Sequence, residues 1–375
     1  MSIAAQTPRV SPLTKYDRTP PALLPVEPVW TLALNARAVA EPAYDDSRAY
    51  FALEDDRIVA YDIWSGEQAW LISARARSAL TAGDGLLFFA GADAFVARHA
   101  DDGSPAWSVP MVDTIVGRAA WSEGTLVVGT ERGEVIAARA ADGHLLWRRD
   151  LSSPVHAAPA IANGRVYVST TDGRIVALDG ESGAPVWERH AGGSPNEILV
   201  RGDRLFVGST DQFIYCLMTK DGRIDWRWRT GGNVIGRPDA DEGHVYFASL
   251  DNVVRAMHPV SGAQLWFRPL PFRPAWGPVR AGSTVVVAGQ TSGLRAFAVK
   301  DGTASGTIEA GSEVAAPLHV LQDPASGLPM LIVVTRDIAK GATTRLVTRG
   351  IEPALSPVAP LPNLVTLSPG PPRQP

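Results

Sequence analysis

The chain has 375 residues, 45% of them hydrophobic, and a formal net charge of −4, with 35 Lys and Arg against 39 Asp and Glu. That is enough apolar material for a large core, and it lacks the basic surplus of a nucleic-acid binder. The single cysteine, Cys216, excludes an intramolecular disulfide and the paired spacing of a structural zinc site.

Residues 1–25 are rich in proline and read as a flexible N-terminal segment. They hold no apolar run of signal-peptide length and no cysteine for lipid attachment. No stretch of the chain reaches the roughly 18 apolar residues of a membrane span. As written, the chain reads as cytoplasmic; a start further upstream would point instead to the periplasm or the outer membrane.

The next piece, "VEPVWTLAL" (26–34), reads as a lone strand carrying Trp30. From it a ladder begins: Trp30, Trp70, Trp107, Trp147, Trp187, Trp226 and Trp266 are separated by 40, 37, 40, 40, 39 and 40 residues. A fixed period of this size marks a repeat architecture. The fullest unit, "SPVHAAPAIANGRVYVSTTDGRIVALDGESGAPVW", holds four short apolar runs. They are separated by turns at Asn163-Gly164, Asp172-Gly173 and Ser182-Gly183. Alternating runs broken by Asn-Gly and Asp-Gly are hairpins. Four strands per ~40 residues is the cadence of a β-propeller blade, and no segment has a sustained helical period.

Each unit repeats three features. Glycine stands in the third turn at Gly66, Gly103, Gly143, Gly183, Gly222, Gly262 and Gly302. Six residues earlier the slot is small: Ala60, Ala97, Ala137, Ala177, Cys216, Ala256 and Ala296. Four residues after the glycine comes tryptophan, a flat surface for a neighbouring blade to cover. The seventh unit has Gly306 in that place and is expected to be the least well packed. Cys216 takes the small slot, so it reads as a buried, inert thiol.

Seven units run from about 36 to 309. Two pieces remain, 26–34 and the three-strand stretch 312–350. Joined, they make one more blade, which leaves no free sheet edge at the seam. The expected fold is therefore all-β, an eight-bladed propeller of four-stranded antiparallel blades closed by an N-terminal strand and spanning 26–350. Seven blades is the alternative if 312–350 is not a blade. Residues 351–375 are Pro-rich and read as a second flexible tail.

The phrases "AYDIWSGEQAW" (60–70) and "ALDGESGAPVW" (177–187) resemble the tryptophan-docking repeat of the PQQ-type propeller family. The resemblance covers roughly 26–350. It implies the eight-bladed fold and one of two functions: PQQ- and calcium-dependent dehydrogenases, or non-catalytic propellers similar to the outer-membrane assembly factor BamB. The dehydrogenase branch implies an adjacent Cys-Cys pair and a calcium-ligand cluster. One cysteine cannot make that pair, and the nearest acidic run, "DADEG" (239–243), lacks calcium-loop spacing. P-loop, Gly-x-Ser-x-Gly and His-Glu-x-x-His motifs are absent. The expectation is a non-enzyme with no cofactor, catalytic residue or metal site: a monomeric ring scaffolding unidentified protein partners in a larger complex, with no nucleic acid and no membrane span.

Binding, if it lies on the axis, falls to the innermost strands. Counting six residues back from the start of each second strand gives a column of Glu41, Ala79, Arg118, Ala158, Glu197, Arg237, Gly277 and Ala316. His156 and Trp276 stand within two residues of it. The candidate funnel is thus Glu41, Arg118, His156, Glu197, Arg237 and Trp276. It is either a polar site for a peptide or small ligand, or a water-filled channel whose opposite charges neutralise one another.

Overall fold

Each period of the tryptophan ladder folds into one antiparallel sheet. In the computed structural model, residues 20–111, 113–337 and 341–348 are described, Asp337 and 341–348 as backbone only. Blade 1 consists of Ala43–Tyr44, Arg48–Leu53, Arg57–Asp62 and Gln68–Ser73, hydrogen-bonded in that order from the axis outward. Blades 2 to 7 repeat this order. In blade 4 the four strands are Ala160–Ala162, Arg165–Ser169, Arg174–Asp179 and Pro185–His190. The second and third strands of blade 4 are buried on both faces by neighbouring blades: Val166, Val168, Val176 and Leu178 pack on the side of Trp147, and Tyr167, Ile175 and Ala177 on the opposite side.

Blade 8 is assembled from both ends of the described chain. Its outer strand, Glu27–Ala33, pairs antiparallel with Gly341–Thr348, with Glu27 opposite Thr348 and Ala33 opposite Thr343. Gly341–Thr348 pairs in turn with Pro329–Asp337. The inner position is split between Glu313–Val314 and His319–Gln322. The stretch 312–350 is therefore a blade, and the count is eight rather than seven. No helix long and apolar enough to cross a membrane occurs among the described residues.

The ladder docks each blade onto the next. In every one of the seven tryptophans the indole N–H donates to a backbone carbonyl of the following blade, at 2.8–3.0 Å. The ring lies over that blade's third-turn glycine. A Cβ on Gly183 would stand 2.5 Å from Trp147, and one on Gly222 would stand 2.4 Å from Trp187. Both glycines also have positive φ, so the position excludes other residues twice over. Within their own blades the six tryptophans from Trp70 to Trp266 pair across strands with the small slot, as in Ala177 opposite Trp187 and Cys216 opposite Trp226, whereas Trp30 stands opposite Leu346.

Gly306 breaks the ladder at the junction of blades 7 and 8, yet that junction is filled. Residues 20–26 run along blade 7. Ser283 N–H donates to the Pro21 carbonyl at 3.0 Å, and Leu23 N–H donates to Thr284 Oγ1 at 3.1 Å. Leu23 is fully buried, and Leu24 lies 3.5 Å from where a Cβ on Gly306 would be. Together with Val26 they pack into the cluster of Ala296, Ile308, Leu331 and Val333 shared by the two blades. The expectation of a poorly packed seventh unit is corrected: two leucines and a valine from the chain's leading segment replace the missing indole. Residues 20–25, part of the Pro-rich N-terminal segment, thus lie against blade 7. The rest of that segment, 1–19, and the tail 351–375 lie outside the described residues.

Candidate functional site: the axial channel

The eight inner strands converge on the axis, and close approach dictates which residues fit there. A Cβ on Gly277 would meet the Arg237 carbonyl at 1.9 Å, and one on Gly117 would meet the His156 carbonyl at 2.5 Å. Small residues at Ala79, Ala158, Gly277 and Ala316 let the strands approach. Between them Glu41, Arg118, Glu197 and Arg237 reach into a common channel. One mouth is a cavity of about 640 Å³ lined by Glu41, Arg118, Glu197, Arg237 and Trp276. The opposite mouth, about 330 Å³, again shows Glu41, Arg118 and Glu197, with His156 at its edge. All six funnel residues read from the sequence therefore lie on or beside the axis.

The charges are not equivalent. Arg118 is committed: its Nη2 donates to Glu41 Oε2 at 3.2 Å and to the Pro42 carbonyl at 3.0 Å. His156 turns aside to Glu131, with Nε2 2.9 Å from the carboxylate. Glu197 makes no hydrogen bond among the described residues. Burial raises its carboxyl pKa, the Glu41 charge adds to this, and Arg118 and Arg237 oppose it. A raised native pKa means Glu197 favours folding fully only below its unfolded value of ~4.3, and that contribution is lost as pH rises through the native value. Glu197→Gln is therefore expected to raise the melting temperature by up to a few degrees at pH 7 and to leave it unchanged near pH 4. Thermal melts of both forms across this range check it. A gain that persists at pH 4 would place its origin elsewhere.

Two partly buried residues at the junction of blades 8 and 1 escape the column. Tyr44 and His319 stack with ring centroids 4.0 Å apart. Burial, reinforced by Arg118, lowers the His319 pKa to about 4, so the ring is neutral at physiological pH. The Tyr44 hydroxyl is buried with no hydrogen-bond partner among the described residues, and burial raises its pKa. Each stands three residues beyond its column member, Glu41 or Ala316. A second column at that offset would have shown them side by side.

The other sequence features prove structural. Cys216 is fully buried, and burial pushes its thiol pKa to about 12. The residue four places before each turn glycine varies, and it caps the turn where it is Asp62, Asp179 or His258. Asp62 Oδ1 accepts from the backbone N–H of Trp64 and Ser65, and His258 Nδ1 accepts from those of Val260 and Ser261. Where that slot cannot cap, an Asp directly before the glycine does so, as at Asp102, Asp142, Asp221 and Asp301. In 239–243, Asp241 accepts from Gly243, His244 and Tyr246, while Asp239 accepts from the Arg280 backbone. Asp241 thus braces its own turn, and Asp239 ties its strand to blade 7.

A quinone–calcium group is what the dehydrogenase branch of this repeat implies, and the channel does not fit it. A flat tricarboxylate needs several cations with no competing anions, whereas Arg118 is bonded to Glu41 and Arg237 faces Glu197. Among the described residues no three His, Cys, Asp or Glu side chains are grouped to hold a metal.

A family model described as outer membrane protein assembly factor BamB matches residues 26–99, 92–202 and 192–331. No curated protein sequence matches the chain. Among solved structures, BamB from Moraxella catarrhalis superposes with a TM-score of 0.69 at 19% identity, over 86% of this chain and 97% of that one. The computationally designed Ika8 protein gives 0.70 at 15%, over 83% and 96%. Quinohemoprotein alcohol dehydrogenase from Comamonas testosteroni gives 0.70 at 13%, over 92% and 78%. At these identities the likeness is one of fold.

Proposed function

The chain belongs to the outer membrane protein assembly factor BamB family of PQQ-type propellers, and from that premise we propose that it is a non-catalytic scaffold binding protein partners in an envelope assembly complex. The observation that carries this reading is the axial channel. Arg118 is held by Glu41, and the charges of Arg118 and Arg237 act on the buried Glu197 carboxyl, so charges of both signs offset one another around the axis, which supports a scaffold over a catalytic centre. The one thiol is buried and protonated at any physiological pH. What remains is a rigid ring presenting turns on two faces, the usual arrangement for displaying contacts.

Affinity capture with the full chain from its native organism tests the proposal. The expected result is a stoichiometric polypeptide partner recovered in the envelope fraction; recovery of the chain alone, or in the soluble fraction, would count against it. The second reading, a ligand-binding or dehydrogenase relative, is supported by the fold shared with the Comamonas enzyme. Calorimetry with PQQ and calcium separates the two. The scaffold reading predicts binding no tighter than roughly millimolar, about −4 kcal/mol, and no dye-linked alcohol oxidation. Micromolar binding would move the protein into the enzyme class.

A further inference from the structure

The larger mouth of the axial channel, about 640 Å³, is built in two levels. Glu41, Arg118 and Glu197 line both mouths, so they form the floor where the two meet. The residues that follow along each inner strand make the walls, and Trp121, Ile161 and Val279 are among them, with Trp276 beside them. Trp121 belongs to blade 3, and Trp276 leads into Val279–Ala281, the inner strand of blade 7. Four blades apart in a ring of eight, the two indoles stand on opposite sides of the axis. Trp121 packs against Gly83 of blade 2, where a Cβ would stand 2.5 Å from its ring, and it is still 38% exposed.

Five charged side chains line this mouth, and three are committed to the protein. Arg118 donates to Glu41. Asp239 accepts from the backbone N–H of Ala240 at 2.7 Å and of Arg280 at 2.6 Å. Glu197 and Arg237 are left over. Among the described residues neither side chain makes a hydrogen bond or an ion pair, although the Arg237 charge is close enough to act on the Glu197 carboxyl. Arg237 is exposed, and Glu197 is largely buried. They have opposite signs and stand on neighbouring blades, 5 and 6. Two such groups, close but not in contact, suit a ligand whose own opposite charges adjoin. The alternation of sign that excludes a flat tricarboxylate is what a zwitterion needs. The apolar walls then cover the rest of the molecule.

We propose that this mouth binds a free α-amino acid with a bulky apolar side chain: its carboxylate accepts from the Arg237 guanidinium, its ammonium donates to the Glu197 carboxylate, and its side chain lies against the tryptophan-lined wall. The site goes beyond the scaffold reading and does not depend on it. Titration calorimetry of the full chain with L-phenylalanine, L-tryptophan and L-leucine tests it. For whichever binds, three probes each remove one feature: the N-acetyl form lacks the cation, the amide lacks the anion, and glycine lacks the side chain. Each is expected to bind at least about tenfold more weakly than the parent amino acid. Arg237→Gln and Glu197→Gln are expected to weaken the parent by the same factor. Neither side chain is bonded within the ring, so both variants are expected to fold, which their melting temperatures check. Should either unfold, the probe series on the wild-type chain decides. No binding of the three amino acids up to about 10 mM, probes that bind as tightly as the parent, or folded variants that bind it as wild type does would overturn the proposal.

Discussion

Deleting residues 1–34 is expected to drive the ring into dimers or aggregates. The deletion removes Glu27–Ala33, the strand that covers the edge of Gly341–Thr348, and an uncovered edge is a template for pairing with another chain. It also removes Trp30, whose indole N–H donates to the Ile63 carbonyl at 2.9 Å, and Leu23, buried between blades 7 and 8. Losing one docked tryptophan costs about 3–5 kcal/mol, against a total stability of about 5–15 kcal/mol for an ordinary domain. Two junctions open at once, so little of the cooperative fold should survive at elevated temperature. Light scattering coupled to size exclusion and a thermal melt read the outcome. A deletion variant that stays monomeric with an unchanged melting temperature would rule out closure by this strand.

Trp147→Ala and Trp187→Ala are each expected to destabilise the ring by about 3–5 kcal/mol. Both side chains are buried, at 6% and 8% exposure, and both indoles donate at 2.8 Å to the next blade. Alanine leaves a cavity over Gly183 or Gly222, where no Cβ can grow in to fill it, and either strips the Gly180 carbonyl of the indole donor or leaves the Thr219 carbonyl to Arg165 alone. Chemical denaturation measures the change. A loss below about 1 kcal/mol at both sites would show that the tryptophans do not carry the docking.

The ring was legible because its docking chemistry is periodic. Tryptophan, glycine and a small residue recur at fixed offsets, and Trp30 announces a strand separated from its blade. The funnel column was legible for a similar reason, since inner strands enter the axis at a constant distance from the hairpin that follows. What escaped is aperiodic. Leu23 and Leu24 sit in a proline-rich run with no alternation, and only three-dimensional proximity to Gly306 shows that they stand in for an indole. The stacking of Tyr44 on His319 joins the first and last blades, which the linear order hides.

Closure by Glu27–Ala33 has a consequence for biosynthesis. Glu27 is made early, yet its partner Thr348 follows about 320 residues later, a delay on the order of 16–60 s at ordinary rates of translation. Throughout that interval Trp30 and its strand leave the ribosome with nothing to pair with. Pairing across such a sequence separation is also intrinsically slow. A chaperone that shields this strand would be expected to raise the yield of closed rings. A product truncated before residue 341 has no partner for its first strand and keeps an open seam, so closure of the last blade certifies that synthesis has run to the final strand.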